Sequence, residues 1–244
     1  LIRLKGISKT FDRAVLTDVD LSVPEHCLFG LIGPGASGKS LLLRMITGLM
    51  RPDGGQVSVG GQDVLAMGDR QLHEFRKGIG MLFQNNALFD FMTVAENIAF
   101  PLRRLFNLPE PQIAERVAER LARVDLPGFE GRLPGGLSGG QKKRVGVARA
   151  TVTRAPIILY DEPAAGLDPV TSQKIFDLLR AEQRAANSTV IMVSSDLDRL
   201  LTVTDRVGMM LGGRLIFEGS TAEAKNSPDP RVHQFVHGSI EGPL

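Results

Sequence analysis

The sequence predicts an α/β fold with an antiparallel β region and an inserted α-helical subdomain. Three observations support this. Short apolar runs of the kind that form buried strands alternate with stretches of helical spacing. A glycine-rich turn at residues 33–38 stands between one such run and a helix. From about residue 90 to residue 150 the pattern becomes predominantly helical.

The elements follow in order. Leu1–Ile7 alternates and runs on to Phe11, and Val15–Val23 alternates through Leu16, Val19, Leu21 and Val23, so both read as half-buried strands. Cys27–Ile32 is continuously apolar, as a strand buried on both faces is. Lys39–Leu49 carries Leu42, Leu43, Met45, Ile46 and Leu49 at helical spacing. Gln56–Val59 and Ile79–Phe83 read as strands. Residues 93–124 read as helical, with Ile113, Val117, Leu121 and Val124 on one face and Glu119–Arg123 as a supporting pair. A second glycine cluster at 135–140 opens a helix over Gln141–Thr151. Ile157–Tyr160 and Thr189–Val193 read as buried strands flanking a helix at Val170–Ala186, and Arg206–Leu211 with Arg214–Phe217 as a hairpin about Gly212-Gly213. The expected organisation is one domain: a core of 1–84 and 153–226, a helical subdomain of about 85–152, and a tail of 227–244.

Composition narrows the function classes. The 244 residues are 43% apolar and 23% charged, which is ordinary for a globular chain able to bury a core. With 29 Lys and Arg against 27 Asp and Glu, the net charge of +2 does not suit a protein that coats nucleic acid, and no direct nucleic-acid partner is expected. The single cysteine, Cys27, has no internal partner and reads as a small buried hydrophobe. No run reaches the ~18 apolar residues of a membrane-spanning helix, nor does a charged-then-apolar leader open the sequence. Any membrane is therefore expected to be served from its aqueous side.

Three motifs carry chemistry. Gly33-Pro34-Gly35-Ala36-Ser37-Gly38-Lys39-Ser40 fits the phosphate-loop pattern GxxxxGK[ST]. Glycines let the backbone curl until successive N–H groups face one phosphate, and the helix that follows adds its positive end. Lys39 is expected on the β- and γ-phosphates of a nucleotide, and the Ser40 hydroxyl on Mg²⁺. Next, Ile157–Tyr160 delivers Asp161 and Glu162 at a strand end, the first suited to Mg²⁺ and the second to the attacking water. Leu137-Ser138-Gly139-Gly140-Gln141 is a second anion nest at a helix start. One chain with one nucleotide has little use for two nests. Two copies facing each other use both, each ATP lying between the loop of one and the nest of the other.

These motifs, with Gln84 after a strand and Gly166-Leu167-Asp168 after the carboxylates, stand in the order of the ABC transporter ATPases, and the chain resembles that family over essentially its whole length. The resemblance implies a P-loop NTPase (ABC ATPase) core with ATP and Mg²⁺ as its ligands. It implies that Gln84 is a hinge glutamine sensing Mg²⁺, that Asp168 communicates across the dimer, and that Phe11 stacks on adenine; otherwise Phe11 is an ordinary core side chain. Within the family, Met81–Gln84, Ala87–Asp90, Met92–Val94 and Glu96–Leu102, together with the tail Asp229–Phe235, resemble the ATPases of Mla/Mce phospholipid transport. This implies lipid cargo, an integral-membrane permease, an MCE-domain lipid-binding protein, a small regulatory subunit, and a peripheral place on the cytoplasmic face of the inner membrane. The alternatives are another cargo, a weakly hydrolysing nucleotide-gated module, or a non-transport ABC ATPase acting on nucleic acid or ribosomes.

Two positions depart from the family pattern. After Val190–Val193 the family carries a histidine before an aspartate, whereas here Ser195 precedes Asp196. Serine donates one hydrogen bond and cannot become cationic, and none of His26, His73, His233 and His237 is an evident substitute. Slower hydrolysis resting on Glu162 is expected. Leu41 stands where a second hydroxyl often contacts phosphate, with an expected weakening of nucleotide binding by ~1 kcal/mol. The run Lys142-Lys143-Arg144 reads as a solvated helix face.

Overall fold

Alternation of apolar and polar residues in β1 (Ile2–Thr10) and β2 (Ala14–Val23) buries one face of each strand, and they pair antiparallel with Leu4 opposite Leu21. In the computed structural model, which describes all 244 residues, the chain divides into two compact units. One comprises Leu1–Leu72 with Thr189–Leu244, the other His73–Ser188.

In the first unit, β3 (Leu28–Ile32) is buried throughout and leads through the glycine turn into α1 (Lys39–Ile46). The helix is shorter than its apolar spacing predicts: it closes at Thr47, and Gly48 turns left-handed (φ 67°). β4 (Gly54–Val59) pairs with the free edge of β1 and carries the short β5 (Gln62–Asp63), which completes a four-stranded antiparallel sheet. α2 (Asp69–Arg76) spans the division between the units; only its Leu72 is buried, so it had no periodic signature.

The second unit holds a parallel pair, β6 (Ile79–Leu82) and β7 (Ile157–Asp161), with Leu82 opposite Tyr160. Between them come α3 (Val94–Leu105), α4 (Glu110–Arg123) and α5 (Gly139–Thr151); α6 (Pro169–Ala186) follows β7. The predicted helical stretch is thus two helices, because Pro109 is extended (ψ 143°) and caps α4. The expected Glu119–Arg123 pair is not the one formed. Arg123 bonds Glu182 at 2.6 Å, and Glu119 bonds Arg154 at 2.6 Å.

The chain then returns to the first unit. β8 (Thr189–Val193) lies parallel to β3 with Val193 opposite Leu31, and β9 (Arg206–Leu211) lies parallel on β3's other side. α7 (Leu197–Val203) connects the two, and β10 (Arg214–Ser220) closes the hairpin. In the tail, α8 (Thr221–Lys225) packs against α9 (Pro230–His237), whose Val232 and Val236 are buried, so these apolar tail residues pack within the chain. No helix is long and apolar enough to cross a membrane.

Candidate functional site

β3 aims the chain at the phosphate loop. Gly33 leaves the strand at φ 137°, and a Cβ there would lie 2.1 Å from the Met210 carbonyl oxygen, so only glycine fits. Positive φ recurs at Ala36 (58°) and at Gly38 (96°), the N-cap of α1. Positive φ interspersed through the loop lets several of its N–H groups face one side; within it Pro34, which has no N–H, is half-buried and Gly35 is exposed. The Lys39 ammonium donates to the carbonyl oxygens of Gly33 (2.8 Å) and Pro34 (2.7 Å) and to Ser37 Oγ (3.1 Å), so the positive charge is held at the loop itself. Ser40 and Leu41 follow in the first turn of α1, both half-buried.

Ser195 comes to the same end of the same sheet. Leu31 and Val193 are matched across β3 and β8, so Gly33 and Ser195 leave adjacent parallel strands at one level. Ser195 is exposed, while next to it Asp196 caps α7 and pairs with Arg199 at 2.7 Å. Phe11, just beyond β1, is 54% exposed with the Lys9 ammonium 5.6 Å from its ring centre, so it is not a core side chain.

In the second unit the carboxylates sit where the strand pattern put them. Asp161 ends β7 and is buried (5% exposed), and Glu162 follows with φ 51°, a left-handed conformation uncommon outside glycine. Gln84 lies just past β6, its side chain exposed. Ser138 caps α5: its Oγ accepts from the Gln141 N–H (3.3 Å), and Gln141 Oε1 accepts from the Ser138 N–H (2.9 Å). The hydroxyl hydrogen of Ser138 stays available beside the N–H groups of Gly139 and Gly140. Asp168 caps α6, taking the N–H groups of Val170 (3.0 Å) and Thr171 (2.9 Å), and the Thr171 hydrogen bonds hold its carboxyl below the usual range.

The run 142–144 is not a solvated face. Lys143 is buried at 5% exposure, and its ammonium donates to the carbonyl oxygens of Gln84 (2.6 Å) and Glu162 (3.2 Å). Burial pushes this ammonium's pKa down, and the charges of Glu162 and Asp161 oppose that shift. Arg144 bonds the end of α4 at the Asp125 carbonyl (3.0 Å). Lys143 was missed because its acceptors are backbone oxygens, which no residue pattern displays.

No cluster of three or more His, Cys, Asp or Glu side chains forms a metal cage. The buried Asp161 carboxylate and the oxygens of Ser40 and Gln84 are hard donors that suit Mg²⁺, an ion that keeps waters and shares its site with substrate phosphates.

A phosphate loop after β3, with a carboxylate pair at the end of β7, defines a P-loop nucleoside triphosphatase. The chain belongs to the ABC transporter family, whose pattern matches residues 16–165, and it is an ATP-hydrolysing subunit of such a transporter. It is 36% identical over 245 residues to the intermembrane phospholipid transport system ATP-binding protein MlaF of Haemophilus influenzae, covering 100% of this chain and 93% of that protein. It is 41% identical over 226 residues to the methionine import ATP-binding protein MetN of Caulobacter vibrioides, covering 91% of this chain and 68% of that one. Its fold matches the dimeric post-hydrolysis structure of the ATP-binding cassette MJ0796 bound to ADP and phosphate, with a TM-score of 0.84 at 30% identity over 91% of this chain and 99% of the other.

Proposed function

We propose that the chain drives phospholipid movement between membranes, working as an ATP-closed dimer on the cytoplasmic face of the inner membrane. Its partners in this reading are an integral-membrane permease, an MCE-domain lipid-binding protein and a small regulatory subunit. The observation that supports the lipid reading is the match in length to MlaF: the chain spans 93% of that protein, but 68% of MetN and 68% of the probable ribonucleotide transport ATP-binding protein mkl of Mycobacterium tuberculosis, which also matches all of this chain.

The nest at Gly33–Gly38 and the Lys39 ammonium hold the β- and γ-phosphates, and Phe11 stacks on adenine. Ser138, Gly139, Gly140 and Gln141 of a second copy approach the γ-phosphate from the other side. Glu162 orients the attacking water and accepts its proton, while Gln84 and Ser195 hold the water and phosphate in line. Water oxygen bonds to the γ-phosphorus, the bond to the bridging oxygen breaks, and ADP and phosphate leave. Mg²⁺, when bound by Ser40, Asp161 and Gln84, neutralises charge on the phosphate oxygens. Asp168 and the helical subdomain of about 85–152 carry the change to the permease.

Purification of the chain from its native membranes in mild detergent, with mass spectrometry of what accompanies it, tests the cargo. A permease, an MCE-domain protein and phospholipid support the reading. A permease of another class replaces the cargo and leaves the motor. Ribosomes or nucleic acid without a permease refute transport.

A further inference from the structure

α5 makes two contacts of an unusual kind. Its two inward-facing cations bond backbone carbonyls: Lys143 bonds Gln84 (2.6 Å) and Glu162 (3.2 Å), and Arg149 bonds Ala87 (2.7 Å) and Asn86. All four acceptors lie in two short segments, just past β6 and just past β7. Three of them are left-handed without being glycine: Asn86 at φ 60°, Ala87 at 50° and Glu162 at 51°. Such conformations persist only where the surroundings over-determine them, and they set where the side chain points. Here a buried ammonium and a guanidinium supply the restraint, and charge-assisted hydrogen bonds are the strong kind.

α5 itself is seated hard on β6. A Cβ on Gly80 would lie 2.0 Å from the Ala150 carbonyl oxygen, and one on Gly146 would lie 2.6 Å from Leu82 Cδ1. Helix and strand therefore move together. The N-terminus of this helix is the Ser138 nest.

We propose that Lys143 is a positioning residue for ATP hydrolysis: one ammonium ties the backbone of Gln84 to that of Glu162 and couples both to the helix that begins at Ser138. This rests on the reading that Gln84 and Glu162 serve the attacking water. Lys143 touches neither water nor phosphate; it fixes the level and the aim of the two side chains that do. Arg149 holds the far end of the Gln84 segment in place.

The test compares Lys143→Met, which keeps the apolar stem and removes the charge, with Lys143→Arg, which restores a charged multiple donor, in the full chain. For Lys143→Met the expected result is a kcat lower by about 10-fold or more with KM for ATP within about two-fold, the signature of a contact that matters in the transition state. Amide hydrogen exchange at residues 84–87 and 162–165 should speed up while β6 and β7 stay protected, and Lys143→Arg should recover most of kcat. Unchanged kcat overturns the proposal, whatever the exchange shows. So does loss of protection throughout β6 and β7, which makes Lys143 a structural support only. A Lys39→Ala control separates the two readings. Turnover that survives it refutes the assignment of the site, whereas Lys39-dependent turnover unmoved by Lys143→Met refutes this inference alone.

Discussion

The carbonyl oxygens of Gln84 and Glu162 share one ammonium, that of Lys143, at 2.6 and 3.2 Å. Register makes this sharing feasible. Leu82 and Tyr160 are matched across β6 and β7, so the two residues beyond them leave the sheet at the same level. In the proposed reading, the hinge glutamine and the water-activating glutamate are thereby held as a pair by their main chains.

Glu162→Gln keeps that main-chain tie and removes only the carboxylate. Steady-state turnover should fall by about 10²–10⁴-fold, the usual contribution of a positioned general base. ATP binding should survive, and size-exclusion chromatography should show a dimer with ATP and a monomer with ADP. A chain that stays monomeric with ATP refutes the paired-nest arrangement.

Lys39→Ala removes the cation that now bonds Gly33, Pro34 and Ser37. Loss of one preorganised donor to a transferring phosphoryl group lowers turnover by about 10²–10³-fold. Calorimetric titration should also show weaker ATP binding, because the contact exists in the ground state as well. Retention of wild-type affinity and turnover would place the nucleotide elsewhere.

Ser195→His replaces a short hydroxyl by a longer imidazole that can become cationic, at an exposed position, so no repacking opposes it. Phosphate release should rise several-fold, about the effect of one added hydrogen bond in the transition state. KM for ATP should stay near its original value. Equal rates for the two proteins would show that position 195 does not limit turnover.

The parts of the site that run contiguously were legible. Gly33–Ser40 is one unbroken motif, and the glycine cluster at 135–140 marks the start of α5. Buried strands β3, β7 and β8 were visible as apolar runs. Lys143 was not legible, because a lysine among basic neighbours reads as solvated until its backbone acceptors are known. α7 and α9 escaped for a similar reason: both owe their starts to single aspartates, Asp196 and Asp229, and are too short to show a period. Arg123 pointed to its helical neighbour Glu119, but the buried Glu182 from α6, distant in sequence, took it.

Glu182 offers a stability test away from the site. Its carboxylate bonds Arg120 and Arg123, each at 2.6 Å, and both Glu182 and Arg120 are buried. Glu182→Ala leaves the Arg120 guanidinium buried without its closest carboxylate and should cost about 3–5 kcal/mol. Arg123 is partly exposed, so Arg123→Ala should cost about 0–1 kcal/mol. Urea unfolding of the two variants checks the ranking, and equal losses would refute it.

Gly80→Ala probes how α5 is seated. The added methyl would stand 2.0 Å from the Ala150 carbonyl oxygen and 2.8 Å from Ile158 Cδ1. Ala150 belongs to the helix backbone, so α5 as a whole has to move away, at about 1–3 kcal/mol for an overpacked contact. Gly146→Ala crowds the Leu82 Cδ1 methyl, the flexible end of a side chain, and meets Asn86 at an ordinary 3.6 Å, so it should be milder. Because α5 carries Lys143, Gly80→Ala should also lower kcat at temperatures where the variant is fully folded. Thermal unfolding measured alongside turnover separates the effects. A variant that melts earlier yet hydrolyses ATP at the wild-type rate shows that α5 can shift on β6 without disturbing Gln84 and Glu162.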